Sequence, residues 1–363
     1  MRVKLKDITK FSKGTQINGK NLIDDGAYSY LNGGINPSGK WNEFNVAENT
    51  VTISEGGNSS GYVNYMNEAF WCGAHCYYLY DGPKNSKYLY YALKSQQERL
   101  FRIRSGACMP NIKKSDLGNF IIEYEEDETR QEEVVKVLEK CELLIEDYNK
   151  KLALLDEAVR ARFVEMFGDP VINSCQFPVQ PMTDICDIID GDRGKNYPKS
   201  EEILDDGYCL FLNAKNVTQK GFDFENCNFI TREKDDALRN GKLSRGDVVL
   251  TTRGTVGNLA YYSKNVPYEN IRINSGMVIL RMNRSILNEI YFIELFKMKL
   301  SDIKEKIASG SAQPQLPIST MNKIILMIPP LELQNQFASF VQEIDKSRLL
   351  SNHSLFLIKS IIF

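Results

Sequence analysis

The sequence predicts an α+β fold: two globular α+β domains separated by two long helices that form an antiparallel coiled coil. Three observations carry this expectation. A motif recurs at an offset of 204 residues, two stretches share one heptad phase at an offset of 203, and each half otherwise reads as short β runs between turns. At 363 residues the chain has room for about two cores.

The repeat pairs Ser105-Gly106-Ala107-Cys108-Met109-Pro110-Asn111-Ile112 with Ser309-Gly310-Ser311-Ala312-Gln313-Pro314-Gln315-Leu316. Phe120-Ile121-Ile122 and Ile324-Ile325-Leu326 follow at the same spacing. In both copies a Ser-Gly turn leads through a proline to a β-type run, and a long helical pattern comes next. Earlier in each half, Lys6-Asp7-Ile8 matches Thr183-Asp184-Ile185, and Asn49-Thr50-Val51-Thr52-Ile53-Ser54 matches Gly246-Asp247-Val248-Val249-Leu250-Thr251. Strands are expected at 50–54, 75–80, 247–252 and 276–282, amphipathic lead-in segments at 7–11 and 184–189, and shorter helices at 86–103 and 287–307.

Val134, Leu138, Cys141, Ile145, Tyr148, Leu152, Leu155 and Val159 alternate steps of four and three, the 3.5-residue seam of a coiled coil. Shifted by 203 they become Phe337, Val341, Ile344, Arg348, Ser351, Leu355, Ile358 and Ile362, the same register with two polar interruptions. Each seam is too narrow to be stable alone in water, so the two are expected to bury against one another. The first helix, 128–167, would span about 60 Å at 1.5 Å per residue. Gly168-Asp169-Pro170 ends it, glycine supplying a left-handed stop and proline blocking continuation. The expected divisions are a first domain at 1–124, a first helix at 125–168, a second domain at 169–328 and a second helix at 329–363.

Composition excludes several classes. With 42% hydrophobic and 25% charged residues and a mean hydropathy of -0.34, neither bulk disorder nor a membrane-embedded body is expected. Residues 1–10 are charged throughout and carry no signal-peptide core, so a cytoplasmic protein with its eight cysteines reduced is expected. The net charge of -2 conceals an asymmetry: residues 123–147 hold 11 acidic and 3 basic groups, whereas residues 1–122 hold 15 basic and 10 acidic. Positive charge clustered outside the acidic stretch suits a nucleic-acid partner, although a solvated basic surface is the ordinary alternative.

Catalytic look-alikes fail on chemistry. Residues 14–21 have P-loop glycine and lysine spacing, but Asn21 stands where a magnesium-ligating hydroxyl is needed. Cys72, His75 and Cys76 lack a second ligand pair for zinc and read as core strand. His75 and His353 are the only imidazoles, which leaves few acid–base candidates. In Ile328-Pro329-Pro330-Leu331, Ile328 cannot accept from an exocyclic amine and Leu331 cannot stack on a base, so the prolines are read as a strand end and helix start.

What remains is loops rich in Gly, Asn, Ser, Thr, Arg and Lys in both halves. Glycine admits close backbone approach, Arg grips guanine bidentately, Asn and Gln do the same to adenine, and Lys, Ser and Thr hold phosphates. For any single loop turn chemistry is a sufficient reason; loops of one composition at corresponding places favour binding. The expected DNA-binding residues are Lys13, Thr15, Gln16, Lys20, Asn32, Asn36, Lys40, Asn58, Ser59 and Arg104 in the first domain. In the second they are Asp192, Arg193, Lys195, Asn196, Lys199, Asn213, Lys215, Asn216, Arg253, Thr255, Asn258, Arg272, Asn274, Gln313 and Gln315. No catalytic or metal-binding residue is expected.

The repeat ending at Leu316, the stretch Arg245-Gly246-Asp247-Val248-Val249-Leu250-Thr251-Thr252-Arg253-Gly254, and Pro329-Pro330-Leu331-Glu332-Leu333-Gln334 together resemble the specificity (S) subunit of type I restriction-modification systems. The resemblance covers nearly the whole chain. It implies two target-recognition domains, each reading one half of a split double-stranded DNA sequence, and two helices that set the spacing and dock methyltransferase (M) subunits, with restriction (R) subunits as further partners. It also implies that this chain binds no cofactor, so that S-adenosylmethionine, ATP and Mg belong to partner subunits. Two departures stand out. Glu125-Glu126-Asp127-Glu128 replaces the proline-rich helix start in the first copy, and the second helix stops at Phe363, several residues short of the first, as in a short or truncated member. The rival classes are a stand-alone DNA-modifying enzyme, methyltransferase or nuclease, and a structural coiled-coil adaptor.

Overall fold

The structure, a computed structural model, describes residues 1–106, 108–308 and 315–362. Its internal contacts divide the chain into two units, residues 1–151 with 351–363, and residues 152–350.

The first unit runs β1 (Arg2–Lys4), α1 (Leu5–Ile8), β2 (Lys10–Lys13), β3 (Tyr28–Leu31), β4 (Gly39–Trp41), β5 (Thr50–Ser54), β6 (Val63–Met66), β7 (Phe70–Cys72) and β8 (Cys76–Tyr80). It continues through α2 (Ser86–Lys94), α3 (Gln97–Arg102), α4 (Lys114–Gly118) and β9 (Ile121–Glu123) into the long helix α5 (Glu128–Phe167). The second runs β10 (Val179–Pro181), α6 (Met182–Ile185), β11 (Cys186–Asp190), β12 (Cys209–Leu212), β13 (Val217–Thr218), β14 (Gly221–Phe222), β15 (Phe229–Ile230) and α7 (Arg232–Ala237). It ends with β16 (Val248–Thr251), β17 (Leu259–Tyr261), β18 (Ile271–Ile273), β19 (Met277–Met282), α8 (Glu289–Ala308), α9 (Ile318–Met321), β20 (Ile325–Met327) and α10 (Leu331–Ile362).

The duplication inferred from sequence is present in the topology. The first unit has a four-stranded antiparallel sheet ordered β2-β8-β5-β6 and a three-stranded sheet β4-β3-β7; the second has β11-β19-β16-β17 and β15-β12-β18. In each three-stranded sheet one pair is parallel, β3 with β7 and β12 with β18. A two-stranded ribbon joins the start of each unit to the strand before its long helix, β1 with β9 and β10 with β20. The β13–β14 hairpin is an addition of the second unit.

Strand β16 shows why its sequence is apolar without alternation. Val248 and Leu250 enter one hydrophobic cluster with Phe163, Phe167, Tyr291 and Phe337, while Val249 enters another with Leu210, Ile271 and Ile279. A strand buried on both faces has no polar side. Each of these fully buried side chains contributes roughly 1.5–3 kcal/mol relative to exposure.

The expected helix at 86–103 is divided in two, because Ser95 and Gln96 close the first turn run before α3 begins. The lead-in segments each split into a one-turn helix and a strand, α1 with β2 and α6 with β11. Helix α5 ends at Phe167, and Gly168 takes φ +74° as the stop requires. Within the second unit the end of α5 and the start of α10 run antiparallel. Phe163 packs on Phe337 at 5.4 Å between ring centres, and two turns earlier Asp156 pairs with Arg348 at 2.6 Å. Seam residues Cys141 and Leu355, both in the first unit, are buried, whereas Val134 is exposed.

A matched pair of glutamines anchors the two helix starts. Gln131 is buried and donates to the Glu125 carbonyl at 2.7 Å; Gln334, 203 positions on, is buried and donates to the Pro329 carbonyl at 2.8 Å. Each side chain satisfies a carbonyl beside the helix start, and the amide can do so in the acidic and the proline-rich version alike.

Candidate nucleic-acid interface

In the second unit, three of the loops singled out by composition converge with the end of the repeated motif. The end of β11 delivers Asp190 and Arg193, the turn after β16 delivers Thr252 and Arg253, the segment before β19 delivers Asn274 to Gly276, and the motif before α9 delivers Gln315 to Ile318. Asp190, Arg193, Thr252, Arg253, Gln315, Leu316, Pro317 and Ile318 line a cleft of about 220 Å³ floored by Val278.

Backbone bonds hold the loops there. The Leu316 amide donates to the Thr252 carbonyl at 3.0 Å, and the amides of Thr252 and Arg253 both donate to the Gly276 carbonyl. Arg253 pairs with Gln315 as an antiparallel bridge. Gly191 is required by close approach, since a Cβ there would lie 2.3 Å from the Asn274 carbonyl oxygen. Gly254, at φ +71°, makes the turn after Arg253. The Asn274 carboxamide accepts from the Gly276 amide at 2.9 Å and so shapes the same loop.

The two arginines differ in how they are held. Arg193 Nη2 donates to Asp190 Oδ1 at 3.0 Å and to the Ser275 carbonyl at 3.3 Å, which fixes the guanidinium plane at the rim. Arg253 is exposed and its side chain donates to no described residue.

The first unit builds the same clasp from other residues. The Ile112 amide donates to the Glu55 carbonyl at 2.9 Å and Gly56 bridges Asn111, which reproduces the Leu316–Thr252 and Arg253–Gln315 pairs. Gly57, at φ +78°, stands where Gly254 stands. Lys13 pairs with Glu55 at 2.7 Å, and His75 Nδ1 faces the other Glu55 oxygen at 3.4 Å. Arg104 lies over the Phe101 ring and donates to the Asn58 carbonyl at 3.4 Å. Ser59 and Ser54 both donate to the Gly33 carbonyl, and Asn32 accepts from the His75 amide. Thr15, Gln16, Lys20, Asn36, Lys40 and Asn58 are exposed, as is Lys13.

Four expected contacts prove to be scaffold. Arg272 is 5% exposed, forms an ion pair with Asp235 and donates to the carbonyls of Asp235, Leu238 and Asn240. Asn216 is buried and donates to the Asp223 and Asn226 carbonyls. Asn258 is buried and donates to the Val217 carbonyl. Asp192 is buried and accepts from the amides of Gly194 and Arg239, which hold its carboxyl below the usual range. Buried polar groups are hydrogen-bonded, and each of these has its partners inside the protein. Asn196 and Asn213 are also partly committed, to the Ala237 carbonyl and to the Lys215 amide. Lys195, Lys199, Lys215 and Thr255 are exposed away from these networks. Gln313 lies outside the described residues.

Asp190, Glu55 and Thr252 lie on loops singled out by composition but are not among the expected contacts. The Asp-x-x-Arg spacing of 190 and 193 was the available signal for the first of them. Cys72 and Cys76 sit in a buried apolar cluster with Leu31, Val46 and Phe70, and hydrogen bonding between the two with burial pushes the Cys72 thiol up. Gly19–Asn21 forms a single tight turn, not the helix start of a P-loop. No group of His, Cys, Asp and Glu among the described residues is arranged to hold a metal, and no described helix is long and apolar enough to cross a membrane.

Comparison with known proteins gives a consistent result. The family described as type I restriction modification DNA specificity domain matches residues 1–156 and 177–358. A protein of Mycoplasma genitalium described as a type I specificity subunit is 28% identical over 353 residues, covering 92% of this chain and 84% of its own length. The specificity subunit of the type I restriction enzyme MjaIX from Methanocaldococcus jannaschii is 27% identical over 296 residues, 76% of this chain and 66% of that one. Among solved structures, the crystal structure of a type I restriction-modification S subunit from M. genitalium superposes with a TM-score of 0.60 at 22% identity, covering 100% of this chain and 93% of that one.

Proposed function

The chain belongs to the type I restriction-modification DNA specificity family, and from that premise we propose that it is the DNA sequence-recognition subunit of a type I complex, each unit reading one half of a bipartite double-stranded target. The observation that carries the reading is the repeated clasp: one set of backbone bonds, present in both units, presents unlike side chains at corresponding places. A protein that needed one ligand would have no reason to keep two such surfaces on one scaffold with different chemistry. The long helices set the spacing between half-sites and dock methyltransferase subunits. Methyl transfer and cleavage, with S-adenosylmethionine, ATP and magnesium, belong to those partners and to restriction subunits, and the chain works in the cytoplasm. The contact set is the exposed part of the expected one, led by Arg193, Arg253 and Gln315 in the second unit and by Lys13, Gln16 and Asn58 in the first.

The test is methylome sequencing of the host with and without the gene. A split motif with two unlike halves, lost on deletion, is the expected result; an unchanged methylome rejects the assignment. Purified chain given labelled S-adenosylmethionine and DNA should transfer no methyl group, which separates it from a stand-alone methyltransferase. Salt-dependent DNA binding by the assembled complex separates it from an adaptor. Removing one heptad from each helix should shorten the gap by several base pairs and leave both half-sites unchanged.

A further inference from the structure

The geometry points to Arg253 as the residue that writes a G·C pair into the half-site of the second unit, and to Gly56 as the corresponding specificity-determining position of the first. The inference rests on the DNA-reading role above and concerns which base is read at that site. The correspondence is fixed by backbone. Arg253 bridges Gln315 where Gly56 bridges Asn111, and the residues next in line make the matching Leu316–Thr252 and Ile112–Glu55 bonds. Strand register extends it: Thr251 faces Met277 as Ser54 faces Cys76, and Asp190 faces Val278 as Lys13 faces Tyr77. At these places the second unit therefore carries Arg253, Gln315, Asp190 and, three residues on, Arg193; the first carries Gly56, Asn111, Lys13 and Gln16.

The chemistry of the second cleft favours base edges over phosphate. Asp190 lines the cleft with both arginines, its Oδ1 held by Arg193 and by the Gly191 amide. A carboxylate in that place repels a phosphate, whereas its other oxygen can accept from the N4 amine of cytosine. Arg193 is already fixed in plane, so binding costs it little rotamer freedom, and a fixed fork suits the two acceptors of guanine. Arg253 is free to complete the contact. The corresponding places of the first unit lack both guanidinium groups; their side chains include the amides Gln16 and Asn111, whose bidentate partner is adenine.

Gly56 allows a direct transplant. Its φ is not positive, and an added Cβ would meet nothing closer than His75 Nδ1 at 3.9 Å. The experiment uses the chain assembled with its methyltransferase subunits and sequences the methylated sites of four forms. Wild type should methylate a split motif with a G·C pair in one half. Arg253→Gln should reduce methylation of that motif by roughly 5- to 150-fold and move one position of that half from G·C toward A·T, the other half being unchanged. Arg253→Lys should keep the salt dependence and relax the same position, because charge survives and the bidentate fork does not. Gly56→Arg should bring a guanine preference into the other half. The inference is overturned if Arg253→Gln leaves the motif unchanged, if it weakens all sequences uniformly as loss of a phosphate contact would, or if Gly56→Arg leaves the other half as it was. A wild-type complex that methylates no split motif defeats the DNA-reading role itself, and is distinguished by failing before any variant is compared.

Discussion

The centres of the two parallel strand pairs make the sharpest contrast in the molecule. In the second unit the middle residue of β18 is Arg272, paired in register with Phe211; in the first the middle residue of β7 is Trp71, paired with Tyr30. One backbone is held by charge and the other by aromatic rings. Arg272 and Lys242 converge on Asp235, which is wholly buried. Trp71 packs edge-on against Trp41 at 6.3 Å and donates to the Thr15 carbonyl at 2.7 Å. Fold therefore does not dictate which kind of interaction secures a loop, and polar residues in a family of this type cannot be assigned to ligand or scaffold by residue type alone.

The largest effect expected from breaking this contrast is on stability. Arg272→Ala leaves the buried Asp235 carboxylate paired with Lys242 alone, empties a buried site, and should cost about 3 kcal/mol in urea unfolding of the second unit. Trp71→Ala, at a half-buried ring, should cost less in the first. Equal losses would show that the ionic centre is no more demanding than the aromatic one. Next in size is Arg253→Ala, which removes one base contact without touching the core: about 1–3 kcal/mol of DNA binding by the complex, with assembly intact on gel filtration. Full methylation activity would remove Arg253 from the contact set.

Acid should separate the units further. Burial alone pushes the Asp235 carboxyl up, but hydrogen bonds and charge from Lys242 and Arg272 outweigh it and hold the group below the usual carboxylate range. Asp192 is held low as well, by the amides of Gly194 and Arg239. A folded-state value below the unfolded one, near 4, means that the unfolded chain takes up protons first. This stabilisation is therefore complete above that range and is lost as pH falls through the folded-state values. Unfolding midpoints measured from pH 7 into acid should fall earlier for the second unit. The smallest effect expected is at Arg348, where replacing the half-exposed pair with Asp156 by Arg348→Leu should change stability by less than about 1 kcal/mol.

Much of this organisation was legible in the chain. The heptad phase, the Gly168 stop, strand β5 to the residue and the duplicated motif all follow from spacing, because periodicity and turn chemistry are local. The cleft was legible in part: Arg193, Arg253 and Asn274 lie on loops marked by composition and Gln315 on the repeated motif, and the structure brings them together. Arg272, Asn216, Asn258 and Asp192 were misread because burial is set by what folds over a residue. An arginine looks the same in sequence whether it faces water or an aspartate from a helix some 37 positions earlier. Gln131 and Gln334 were also overlooked as a pair, although they share the 203-residue offset.

The clasp in each unit joins main chain to main chain, Leu316 to Thr252 and Ile112 to Glu55, so it is blind to the side chains it presents. Mutations at the rim can accordingly drift or be recombined without disturbing the path of the loops. On the reading proposed above, exchanging a few rim residues changes what the surface meets, while the packed layers beneath keep the path of the chain.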